Sequence, residues 1–84
     1  MPFTPGTKVE LRQELRAFDP QTKEDWIIEE GEICTVLERK TMRFEGREVI
    51  RYFLAYSVYD LDLFLDGIPE DFISLSLPHR APEA

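Results

Sequence analysis

The chain has 84 residues, 43% of them hydrophobic and 32% charged, with seventeen acidic side chains against ten basic ones and a net charge of −7. That length allows one domain with a thin core, because so short a chain buries only about 60% of its unfolded surface. The apolar fraction excludes intrinsic disorder, and a negative field of this size repels phosphate backbones, so nucleic acid is not an expected partner.

No run of 18 apolar residues occurs, and Met1-Pro2-Phe3-Thr4 lacks the charged start and apolar stretch of a signal peptide, so a cytoplasmic protein without membrane contact is expected. The lone Cys34 cannot form an internal disulfide, which leaves packing or a partner chain to hold the fold.

Pro2 and Pro5-Gly6 mark an irregular lead over residues 1–6. Val9 and Leu11 then alternate with Lys8, Glu10 and Arg12 in the period of a half-buried strand, predicted over 7–12. From Gln13 to Glu30 the pattern loosens around the turn signal Asp19-Pro20 and the charged Lys23-Glu24-Asp25, which reads as a long loop or curled hairpin. After Gly31 the β-branched Ile33, Thr35 and Val36 predict a strand. Glu45-Gly46 supplies the positive φ of a tight hairpin, so 32–43 and 48–58 should pair antiparallel. Between Tyr59 and Asp66, Leu61, Leu63 and Leu65 alternate with Asp60, Asp62, Phe64 and Asp66, one side core and the other solvent. Pro69 predicts a single helical turn over 68–71, followed by a closing strand over 72–77. The single domain therefore spans 7–77, and 78–84 is expected to be a flexible tail. Five short strands, an extended central hairpin and one late turn describe an all-β chain closed into a small barrel.

Three segments resemble the Src-homology-3 (SH3) family, in that family's order. They are Trp26-Ile27-Ile28-Glu29-Glu30-Gly31-Glu32-Ile33-Cys34-Thr35-Val36-Leu37, Tyr52-Phe53-Leu54-Ala55-Tyr56-Ser57 and Gly67-Ile68-Pro69-Glu70-Asp71-Phe72-Ile73, with Ala17-Phe18-Asp19 as a shorter echo. The likeness covers about residues 17–75 and extends to free-standing bacterial SH3-like proteins. It implies a groove for extended, proline-rich peptides built from Tyr52, Pro69, Phe72 and Phe18, with Glu24 and Asp25 placed to meet a basic ligand side chain. Where the family has a tryptophan and tyrosine hydroxyls, this chain has Tyr52, Phe18 and Phe72, which removes most hydrogen bonds to peptide carbonyls.

Catalytic chemistry finds little to work with. The one histidine is His79, and Cys34 shares strand parity with Val36, which marks a core thiol and not a nucleophile. No zinc or calcium spacing is present, and no cofactor or metal is expected. An aspartate at 60 or 62 is the remaining enzymatic candidate. The stretch from Tyr52 to His79 contains no lysine or arginine, whereas Arg39, Lys40, Arg43, Arg47 and Arg51 gather on the central hairpin. A positive arm and a negative rim can pair head to tail or about a two-fold axis. One barrel interior cannot hold ten aromatic residues, and Phe44, Tyr56 and Phe64 are the expected interface residues. The expectation is a non-catalytic, self-associating module for a protein or peptide partner of basic character. The alternative is a small-ligand protein whose pocket, at or near a subunit interface, is lined by Tyr52, Tyr56 and Tyr59.

Overall fold

The computed structural model describes residues 3–58 and 61–76. They form seven strands: β1 (Lys8–Leu11), β2 (Leu15–Phe18), β3 (Asp25–Ile28), β4 (Ile33–Phe44), β5 (Arg47–Val58), β6 (Leu61–Pro69) and β7 (Ile73–Leu75), with one 3₁₀ turn at Glu70–Phe72. All lie in a single antiparallel sheet of order β3-β2-β6-β5-β4-β1-β7, curled into a half-barrel. The count of seven corrects the five expected. The early excursion is itself a hairpin, β2 with β3, laid against β6 through the pair Phe18 and Phe64. Tyr59, Asp60 and the expected tail at 78–84 lie outside the described residues.

Alternation decides what faces inward. Val9 and Leu11 on β1, Cys34 and Val36 on β4, Tyr52 and Leu54 on β5, and Leu63 and Leu65 on β6 are all buried, joined by Leu15, Ala17, Ile28, Ile68 and Ile73. The central hairpin turns through Glu45 (φ 51°) and Gly46 (φ 76°), two consecutive left-handed residues whose twist matches the flanking strands.

Curvature has two local sources, both beside β5. Val36 pairs with Leu54 and Glu38 with Phe53, so Leu37 is an extra residue on β4. Tyr52 pairs with Ile68 and Leu54 with Leu65, so Asp66-Gly67 stand opposite Phe53 alone, and Gly67 adopts φ 70°. A bulge adds a residue on one side of a pair and bends that strand. Two bulges flanking one stretch of β5 bend the sheet there, and alternation with the inward Tyr52 and Leu54 leaves Phe53 on the convex face.

The loop between β2 and β3 is organised by Asp19, only 2% exposed. Its Oδ1 accepts the Gln21 and Thr22 N–H groups (2.9 and 3.4 Å), and its carbonyl accepts that of Lys23 (2.9 Å). The turn holds Pro20 and Asp25 next to Phe18. Among the described residues no helix is long and apolar enough to cross a membrane.

Candidate functional site: an aromatic cleft on the convex face

A solvated sheet face is ordinarily polar, yet three phenylalanines meet on this one. Ala55 pairs with Phe64 and Phe18 with Phe64, which puts the Phe18 and Phe64 side chains on one face, and the bulges bring Phe53 alongside. The Phe53 and Phe64 rings stack, centroids 5.5 Å apart and planes at 15°. Phe18 remains 41% exposed. With Ala17, Pro20, Arg16, Asp25 and Asp66 these rings line an open cleft of about 590 Å³. Beside two of these lining residues sits Lys40, whose Nζ lies 5.5 Å from the Phe53 centroid and 3.4 Å from Asp66 Oδ1, with Glu38 at 4.0 Å. Asp25 stands exposed at the other side, opposite Phe18 in the β2–β3 register.

The groove implied by the SH3 resemblance is not open at Tyr52, which is wholly buried. Tyr52 shares its face with Leu54, and the ring of Phe3 packs edge-on against it at 5.6 Å. Its hydroxyl accepts the Phe3 N–H (2.9 Å) and donates to Glu70 Oε1 (3.1 Å). Phe72 is half-buried against the core, and Pro69 ends β6 opposite Arg51. A hollow of about 490 Å³ does lie beside the closing turn, with a mixed lining in which Thr7, Arg12, Glu70 and Asp71 stand among Phe3, Ile73 and Leu75. Of the residues expected around one groove, Phe18 and Asp25 line the convex cleft, Glu24 is exposed on the adjoining loop, and Tyr52, Pro69 and Phe72 belong to the closing turn and core.

The expected interface residues also divide. Phe44 is 63% exposed at the tip of the central hairpin. Phe64 has a ring partner within the chain in Phe53. Tyr56 is half-buried and its hydroxyl donates a short hydrogen bond to Glu32. That bond, then burial and neighbouring negative charge, push the Tyr56 phenol up to about 12. The Tyr52 and Tyr56 hydroxyls are thus engaged within the chain, Tyr56 lines a hollow of about 260 Å³ with Trp26, Glu32 and Leu63, and Tyr59 lies outside the described residues. Burial, reinforced by the charge of Glu32, pushes the Cys34 thiol up to about 12. Among the described residues no group of three or more His, Cys, Asp or Glu stands where it could hold a metal ion.

Phe53 is the cleft residue that sequence reasoning missed. Its parity with Arg51 and Ala55 was readable, but its place beside Phe64 depends on the bulge at Asp66-Gly67, which no periodicity announces.

Comparison with protein-family models, curated proteins and solved structures finds no match.

Proposed function

We propose that this chain is a cytoplasmic, SH3-like binding module with no catalytic role, and that its convex cleft takes an extended, apolar protein segment bearing a basic side chain. The observation that carries the reading is the meeting of Phe18, Phe53 and Phe64 around one open cleft that Arg16, Asp25 and Asp66 also line, with Asp66 paired to Lys40 and Asp25 left as the acid for a ligand's basic group. Extended segments present side chains alternately, so apolar groups can lie between the rings while the next basic group reaches an acid. Burying rings that water now covers drives association, and the −7 charge of the chain steers a cationic partner. In support of the SH3-like reading, β1, β4, β5, β6 and β7 fall on the five predicted stretches, with a hairpin excursion after the first and a single turn before the last. The site differs from the one the resemblance implied, since the rings that remain open lie on the convex face and not around Tyr52.

Fluorescence anisotropy with labelled ten-residue peptides, alternating apolar or proline positions with arginine, tests this. The wild type should bind in a salt-sensitive way. Phe64→Ala should weaken binding at least about ten-fold, as for a central aromatic anchor, and Asp25→Asn should flatten the salt dependence. Binding indifferent to both substitutions would place the site elsewhere.

A further inference from the structure

The face that carries the cleft does not end there. Along β5, Phe53, Arg51, Val49 and Arg47 share one side of the pleat, and the β4–β5 register adds Met42, opposite Val49, and Phe44, opposite Arg47. One stripe therefore runs from the rings of Phe18, Phe53 and Phe64, flanked by Asp25, Asp66, Arg16 and Lys40, to a tip bearing Phe44 and Arg47. From Phe53 to Arg47 is about 20 Å of extended strand.

The tip is an arm. β6 pairs with β5 only from Arg51 onward, and β1 pairs with β4 only as far as Thr35, so among the described residues the rungs from Thr41 to Phe44 and from Arg47 to Ile50 have no third strand. A two-stranded ribbon alone is marginal in water, and here it also exposes Met42 and Phe44. Residues 39–51 carry five bases against two acids, net +3, in a chain whose total is −7. Three of those bases, Arg39, Lys40 and Arg51, stand at the cleft end; between Thr41 and Ile50, Arg43 and Arg47 balance Glu45 and Glu48, and Arg47 is the base that shares the stripe's face with Phe44.

From that arrangement we infer that the cleft's partner is the hairpin tip of a second copy of this chain. The inference rests on the cleft being a binding site. Two convex faces related by a two-fold axis and running antiparallel set each arm over the other's cleft, an isologous contact made twice. Phe44 enters beside Phe18, Phe53 and Phe64, and Arg47 meets Asp25. Near the axis Lys40 is engaged by Asp66 and Glu38, and the Arg51 guanidinium donates to the Ile50 carbonyl (3.3 Å), while Met42 and Val49 supply apolar contact. The pairing covers the unsupported ribbon and the exposed rings together.

Sedimentation equilibrium from about 10 µM to 1 mM tests it with two variants. One is defective in the arm, Phe44→Ala with Arg47→Glu, and the other in the cleft, Phe18→Ala with Asp25→Lys. All four side chains are exposed, so circular dichroism should show both variants folded. The wild type should reach twice the monomer mass, and each variant alone should dimerise at least about ten-fold more weakly. An equimolar mixture should regain association, because one intact arm then meets one intact cleft. A wild type monomeric at every concentration, a variant that dimerises undiminished, or a mixture that stays monomeric would each overturn the inference. Peptide binding that persists in a monomeric wild type would leave the cleft reading standing and remove only the self-pairing.

Discussion

Tyr52 illustrates how a single hydroxyl can tie distant parts of a thin core together. It joins the Phe3 N–H, 49 positions away, to the Glu70 carboxylate at the closing turn. Tyr52→Phe keeps the ring but leaves both partners without it, and should cost about 1–3 kcal/mol, read as a lower urea midpoint at unchanged slope. Asp19→Ala removes the acceptor of the Gln21 and Thr22 N–H groups. It should loosen the loop beside Phe18 and weaken peptide binding more than it lowers the melting temperature. Protonation adds a third outcome. The Cys34 and Tyr56 values, both pushed up to about 12, exceed the 9.0 and 10.0 of the free groups. Each group therefore holds its proton more tightly when folded. The stability this contributes is complete below pH 9 and is lost as pH rises from about 9 to 12. Urea midpoints should fall between pH 7.5 and 10.5, and fall less in Cys34→Ala, whatever that variant's starting stability. Cys34 was legible as a core residue because it shares parity with Val36. The burial of Tyr52 was not, since the family likeness pointed to an open groove while alternation with Leu54 turned the ring inward.

Among the elements, turn chemistry was more legible than register. Glu45-Gly46 announced the central hairpin, and the leucines at 61, 63 and 65 announced the inner face of β6, because both signals are local. β2 and β3 are only four residues each, and Lys23-Glu24-Asp25-Trp26 carries no alternation, so the second hairpin was legible as a curled excursion but its two strands were not. The bulges at Leu37 and Asp66-Gly67 were invisible because they exist only relative to a partner strand. Gly67 provides a direct check. A Cβ there would meet nothing within 4 Å, so only the left-handed backbone at φ 70° opposes a side chain. Gly67→Ala should destabilise by about 1–2 kcal/mol and, by straightening β6, should move Phe64 relative to Phe53. The opposite sign is expected at the hairpin tip, where Glu45 occupies φ 51°. Glu45→Asn should stabilise by up to about 1 kcal/mol, since asparagine suits the left-handed position of such turns. Equal melting temperatures for Glu45→Asn and wild type would contradict the turn geometry.

At the scale of the molecule, curvature and charge act together. The same bend that wraps the inner residues around Leu54 and Leu65 gathers Phe18, Phe53 and Phe64 on the outside, so the thin core and the exposed cleft have one cause. Phe18, Asp25 and Phe64 were each singled out from the sequence, but for two different surfaces, and it took the long-range pairing of β2 with β6 to unite them. The positive arm was legible as a run of bases, because composition along a hairpin needs no tertiary information. Backbone amide NMR of the labelled protein, titrated at low salt with an arginine-bearing apolar peptide, reads out whether the convex cleft is the binding site. Shifts should concentrate at Phe18, Asp25, Phe53, Phe64 and Asp66, with Phe3, Tyr52 and Glu70 unmoved. Shifts centred instead on Phe3, Tyr52 and Phe72, or none anywhere at saturating peptide, would contradict that site.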